Sequence, residues 1–161
     1  MKLCAVLLGL MLASSPAMAL DRLQDSPPDG WQRYAIGETG AHLDIPTAIF
    51  SKDGGPSETG TGRRFLTSDG RANLTVQSVS NAAQSSPAAF LAGIGPPPGV
   101  VYKRVAPNYF VVSSFRDRII WYNRCNFSGR FAHCVLMNYP ADEKRQWDGI
   151  VTRISNTLAS R

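Results

Sequence analysis

From residue 31 onward, apolar and polar positions alternate with period two in short runs, and change to a helical period only twice. Residues 31–36 and 41–45 read as two strands joined by Gly37-Glu38-Thr39-Gly40. Pro46 stops the second, because it has no amide hydrogen to give a ladder. Phe50 is expected to fold back onto the core. Residues 51–62 are rich in Gly, Ser, Pro and Thr and read as an exposed loop. Residues 63–68 and 71–79 flank Asp69-Gly70, a hairpin signal because both residues tolerate the positive φ of a type I′ turn. That turn sets Phe65 opposite Leu74 and Arg63 opposite Val76 on one face, with Leu66 opposite Asn73 and Arg64 opposite Thr75 on the other. Strict alternation makes the Phe65–Leu74 face the buried one.

Residues 81–86 form a polar connection. Ser86 is placed to cap a short helix that begins at Pro87 and turns Phe90, Leu91 and Ile94 to one side. Gly95-Pro96-Pro97-Pro98-Gly99 ends it as a stiff, extended piece. It reads as a spacer in preference to the rim of a groove. Four strands follow in meander order, 100–105, 109–115, 118–127 and 131–139. A tight turn at Arg116-Asp117 would set Phe110 opposite Asn123 and Val112 opposite Trp121. The last pattern is helical, over 142–158: Trp147, Ile150, Val151, Ile154 and Leu158 make one apolar stripe. Asp142 and Glu143 lie in its first turn, where negative charge complements the helix dipole. The expected fold class is α+β: a single antiparallel β-sheet of seven to eight strands, packed with a short helix and a C-terminal amphipathic helix.

The N-terminus alters the cysteine count. Lys2 precedes an apolar run over residues 5–12, and Ala17-Met18-Ala19 follows as a small-residue cleavage site, the layout of a signal peptide. Residues 1–19 are expected to be cleaved, 20–30 to form a flexible lead, and 31–161 to fold as one globular domain. The run is too short to span a bilayer. Cys4 lies ahead of it, so neither a transmembrane nor a lipid anchor is expected. Of three cysteines, Cys125 and Cys134 then remain, and a pair in an exported chain reads as a disulfide. With Gly129-Arg130 as a type II′ turn, Ser128 faces Phe131, Asn126 faces His133 and Cys125 faces Cys134. The cysteines occupy a non-hydrogen-bonded pair, with Cα atoms about 4.5 Å apart. The expected location is periplasmic or secreted. Loss of Lys2 lowers the net charge from +5 to +4, and the basic residues come singly or in pairs. Without a basic block no nucleic-acid role is expected.

The segments 31–46, 62–72 and 100–122 share a pattern. It consists of Gly40 with Leu43-Asp44-Ile45-Pro46, then Gly62-Arg63-Arg64-Phe65 entering Asp69-Gly70, then the aromatic strand at 109–113. Tyr139-Pro140 and the helix at 147–158 close it. This pattern resembles a set of small, exported, uncharacterised proteins of alphaproteobacteria. More remotely, the opening strand, Ile45-Pro46 and the closing helix resemble the PsbP/Mog1-like fold, an antiparallel sheet between helices. The resemblance implies a fold and no binding residue, because fold does not fix function.

The chain has no G-x-S-x-G, H-E-x-x-H, C-x-x-C, P-loop or G-x-G-x-x-G motif. Its two histidines, His42 and His133, lie in predicted strands, so neither a metal site nor a cofactor is expected. His133 and Cys134 are neighbours, but adjacent strand residues point to opposite faces. Asp44 is a candidate acid or base, and equally the exposed face of a half-buried strand. Asn73-Leu74-Thr75 and Asn126-Phe127-Ser128 match glycosylation sequons, relevant only in a eukaryotic secretory pathway. Tyr102, Tyr109, Trp121 and Tyr122 are the candidate ligand-binding residues, since aromatics on a sheet face grip glycans or peptides. Packing beneath a helix is their competing explanation. Two functional readings follow. The first is an exported, non-enzymatic, monomeric domain that binds an envelope component or a protein partner. The alternative is a periplasmic hydrolase using Asp44, His42 or His133, which requires at least two of these to converge in a cleft.

Overall fold

The computed structural model describes residues 28–160. The expected cleaved segment at 1–19 and most of the lead at 20–30 lie outside the described residues. Among the described residues nine strands form, all paired antiparallel. Seven make one sheet in the order β3-β4-β5-β9-β8-β7-β6, and β1 with β2 makes a separate two-stranded sheet. The α+β class and the antiparallel sheet of seven strands are as expected, while β1 and β2 stand outside it as a small second sheet. A period-two pattern marks a strand but does not name its partner, and β2 contributes side chains to the large sheet rather than hydrogen bonds.

Strands β1 (Trp31–Ile36) and β2 (Ala41–Pro46) pair from Trp31↔Pro46 to Ile36↔Ala41. Ala41, Leu43 and Ile45 are buried against the large sheet. Strand β3 (Lys52–Pro56) corrects the loop expected over 51–62. Its Asp-Gly-Gly-Pro sequence suits a sheet edge, where one side needs no partner and a proline costs little. The pairing of β3 with β4 (Thr61–Leu66) shifts register between Asp53 and Pro56, a bulge that blunts this edge.

Strand β4 pairs with β5 (Asn73–Ser80) in the expected register, including Phe65↔Leu74 and Arg64↔Thr75. The turn itself differs from expectation. Positive φ occurs at Gly70 (71°) and not at Asp69. Thr67 closes a longer loop, with Gly70 N donating to Thr67 O at 3.0 Å and Ala72 N to Thr67 Oγ1 at 3.1 Å. Two- and four-residue loops about the same centre give the same register, so the pairing survives the change of turn. Gly62 sits opposite Gln77. A Cβ there would meet the Val76 carbonyl oxygen and lie 2.7 Å from Gln77 Cα.

Helix α1 (Pro87–Ile94) starts as expected, with Ala89 N donating to Ser86 Oγ at 3.2 Å. Strands β6 (Val100–Ala106), β7 (Tyr109–Arg116), β8 (Ile119–Ser128) and β9 (Phe131–Pro140) form the meander. The β7–β8 turn falls at Asp117-Arg118, one residue later than expected, with φ of 53° and 64°. Phe110 therefore pairs with Cys125 and Val112 with Asn123. An arginine at positive φ is uncommon, so its sequence carries no turn signal. The partners move by two residues, which leaves every side chain on its expected face. The stapled hairpin has the expected register, from Ser128↔Phe131 to Cys125↔Cys134. The cysteines are bonded, with Cα atoms 4.1 Å apart. A 3-10 turn at Ala141–Glu143 leads into α2 (Lys144–Asn156), somewhat shorter than the helix expected over 142–158.

Two apolar cores lie on opposite faces of the seven-stranded sheet. On one face, Leu74, Val76, Val135, Met137 and Tyr139 meet β1–β2 and the α2 stripe of Trp147, Val151 and Ile154. Trp147 stacks on Tyr139 at 5.4 Å between ring centroids. On the other face, Leu91 of α1 covers Phe110, Val112 and the Cys125–Cys134 bridge.

Two stability measurements check this account. Replacing both Cys125 and Cys134 by serine removes a short ring, and loop-closure entropy sets the loss at about 2–3 kcal/mol or less. Thermal denaturation should show a lower Tm with the fold retained; an unchanged Tm for the oxidised protein and its reduced form would refute a stabilising bridge. Gly62→Ala forces β4 away from β5 and should destabilise by about 1–3 kcal/mol, as overpacking does, read as a lower urea midpoint.

Candidate functional site

The two sheet faces are covered unequally. Helix α2 and the β1–β2 hairpin lie over one face, whereas α1 has eight residues and shields only the disulfide end of the other. The rest of that second face is a cavity of about 330 Å³. Alternation decides what lines it. Leu74 and Val76 turn to the α2 core, so Asn73, Thr75 and Gln77 turn the opposite way. By the same rule Arg64 comes from β4, Trp121 and Asn123 from β8, and Leu136 and Asn138 from β9. Glu58 and Thr59, from the β3–β4 connection, and Pro97, from the stiff proline piece, add walls. Pro97 is anchored by Ser114 Oγ, which donates to its carbonyl at 3.0 Å. The piece read as a spacer thus also borders the cavity.

Hydrogen bonds order this lining. Thr59 Oγ1 donates to Gln77 Oε1 at 3.2 Å, and Asn138 Nδ2 donates to Asn73 Oδ1 at 3.4 Å. Trp121 is 40% exposed. Amides and hydroxyls both donate and accept, so much of the lining offers two-way hydrogen bonding beside an indole face, with Arg64 and Glu58 as its charged members. Glu58 is the one carboxylate among the lining residues, and no histidine lies there. A second carboxylate for paired acid–base work is missing from this set.

The four candidate aromatics do not share a face. Trp121 opens into the cavity, and its neighbour Tyr122, though also among the lining residues, belongs by alternation to the opposite face. Tyr122 packs at the margin of the α2 core, where burial raises its hydroxyl pKa above the ordinary value. Tyr109 lies on the α2 side between two guanidiniums, with Arg124 at 5.1 Å and Arg104 at 5.7 Å from its ring centroid. Tyr102 shares that side from edge strand β6 and is 51% exposed. The shift in the β7–β8 turn has no part in this split, because it moved the register by an even number.

The hydrolase candidates are engaged separately. Asp44 is buried and accepts from Arg33 Nε at 3.0 Å. His42 Nδ1 is 3.2 Å from Gly40 O. His133 is buried on the α2 face, with Nδ1 2.8 Å from Ser78 Oγ, itself 2.8 Å from Thr39 Oγ1. No hydrogen bond or ion pair among the described residues joins any two of the three, and none lines the cavity. Arg64, Gln77, Asn123 and Asn138 belong to no motif that marks them as a site in the sequence. Their signal was the polar alternation Asn73-x-Thr75-x-Gln77, which marks a face without saying whether a concavity forms there.

No model of a protein family and no curated protein matches the chain. Among solved structures, it is similar to cyanobacterial PsbP (CyanoP) from Synechocystis sp. PCC 6803. The TM-score is 0.64 at 10% identity, covering 93% of this chain and 99% of that one. The fold is PsbP-like. At such identity the likeness reaches the path of the backbone and no side chain.

Burial lowers the His133 pKa from its ordinary value of 6.5. The unfolded chain therefore binds the imidazole proton more readily than the folded one. This contribution to stability is complete above about pH 6.5 and is lost as pH falls toward the folded pKa. Tm should drop between pH 7.5 and 5, and His133→Gln should flatten that part of the profile. An equal slope in the variant would exclude His133 as its source.

Proposed function

We propose that this chain is an exported, non-enzymatic binding domain that holds a saccharide component of the cell envelope in the open cavity. The observation that carries this reading is the cavity lining, Asn73, Thr75, Gln77, Asn123 and Asn138 beside a partly exposed Trp121. Sugar hydroxyls donate and accept, as do amide side chains. The apolar face of a sugar ring packs on an indole, which offers a broad apolar surface with a polar edge. A cavity of this size and lining falls in the range of small-molecule sites. Export is supported by the cleavable layout of residues 1–19 and by the Cys125–Cys134 bridge, since disulfides persist in oxidising compartments. In this reading the domain is of the same kind as the small exported alphaproteobacterial proteins its motifs resemble.

A protein partner is the second reading, favoured by edge strand β6. It ends the sheet order, and Val100, Val101, Tyr102 and Val105 are exposed along it. An unpaired edge of this kind admits an added strand.

Calorimetric titration of the exported protein with peptidoglycan fragments and envelope polysaccharides tests the first reading. Binding is expected, and Trp121→Ala should weaken it about tenfold, near 1.4 kcal/mol, without changing the Tm. Binding that is indifferent to Trp121 would move the site away from the cavity and toward β6.

A further inference from the structure

Arg64 sets the cavity apart from a purely neutral sugar site. Strand β4 carries it opposite Thr75, so its side chain enters from the open face. Its stem runs close over β3 at Gly54, where a Cβ would lie 3.1 Å from Arg64 Cγ. The Gly at 54 therefore leaves room for the arginine to lie across the edge strand. The Nε of Arg64 is shielded from solvent and has no hydrogen-bond partner, the one buried side-chain polar atom in that condition among the described residues, while the side chain as a whole is 39% exposed and so leaves the end of the guanidinium open to the cavity. Glu58 Oε1 stands 3.9 Å from Nη1, beyond charge-assisted hydrogen-bond length, and the Glu58 side chain is 90% exposed.

Other guanidiniums nearby are differently placed. Arg63, the next residue, is held by Asp53, with Nε donating to Oδ1 at 2.9 Å and to Oδ2 at 3.0 Å. Arg71 is paired with both Asp69 and Glu143. Native proteins leave few buried polar atoms unpaired, and such a group calls for a partner. The partner that matches a guanidinium fork is a planar carboxylate, taken by two parallel hydrogen bonds. Glu58 at the rim disfavours a more highly charged anion, such as a phosphate, through like-charge repulsion.

We infer that the saccharide held in this cavity carries a carboxylate, and that Arg64 is the residue that selects it. This rests on the saccharide reading above and deepens it. The ligand class is an acidic sugar, whether its carboxylate belongs to the ring, as in a uronate, or to a side group, as in muramic acid. The amides and Thr75 take the hydroxyls, Trp121 takes a ring face, and Arg64 takes the acid.

The test titrates the exported protein with three acidic probes, each beside its carboxyl-reduced counterpart. The probes are an oligogalacturonide, a glucuronate-containing oligosaccharide and an N-acetylmuramyl fragment. At least one acidic probe should bind, and its reduced form should bind about tenfold more weakly or worse. Which acid binds separates the ring source from the side-group source. Arg64→Gln should abolish the preference, Arg64→Lys should keep part of it, and Trp121→Ala should weaken the acid and reduced forms alike. Thermal melts confirm that each variant is folded. A reduced form that binds as tightly as its acid, or a folded Arg64→Gln that keeps the preference, overturns the role of Arg64 and leaves the saccharide reading standing. Failure of every probe, acidic and reduced, overturns both.

Discussion

Strand β9 is buried on both faces over residues 132–135, and much of the molecule is arranged to satisfy that constraint. It runs down the middle of the sheet between β5 and β8. Alternation sends Val135, Met137 and Tyr139 to one side and Ala132, Cys134 and Leu136 to the other. A strand with two apolar faces needs a cover on each. The α2 stripe and the β1–β2 hairpin supply one, and α1 supplies the other. Burial of a side chain such as Ile154 or Leu74 is worth about 1.5–3 kcal/mol, so these covers are held mainly by the surface they exclude from water. The disulfide adds a covalent link at the place where the shorter cover sits.

Inequality between the two covers creates the candidate site. The α2 layer with β1–β2 covers the β4–β5–β9–β8 part of its face, and polar groups caught beneath it are paired, as Ser78 is with His133 and Thr39. Helix α1 reaches only the disulfide end of the face, over β6 to β9. Beyond it the same sheet face changes from apolar to amide and hydroxyl side chains, with Asn123 nearer the disulfide and Trp121 farther along the strand. Polar residues here stay hydrated while their backbone is fixed in the sheet, so a ligand meets groups already held in position.

Much of the fold was legible in the sequence. Period two placed the strand faces, and period 3.6 placed the α2 stripe. The register of both the β4–β5 and β8–β9 hairpins followed from the centres of symmetry at Asp69-Gly70 and Gly129-Arg130. Register depends on where a turn is centred and not on its type, which is why the β4–β5 pairing stood although Asp69 keeps a negative φ. The Asp117-Arg118 turn was missed because arginine gives no composition signal for positive φ. Strand β3 was missed because an edge strand needs only one paired side and accepts glycine and proline. The separate β1–β2 sheet could not be seen, because which ladder a strand joins is settled by distant partners.

The site divides along the same line. The sequence by itself determined that Asn73, Thr75 and Gln77 share a face and that Trp121 and Tyr122 do not, because side-chain alternation is a local property of the chain. It also determined the pairing of Cys125 with Cys134, since the turn between them sets their distance. The tertiary structure decided that one polar face lies in a concavity, that Glu58, Thr59 and Pro97 wall it, and that Arg64 lines it with its Nε shielded and unpaired. Those facts depend on how far α1 reaches and where β3 lies. Both are set by packing between segments far apart in sequence, which no local pattern of residues encodes.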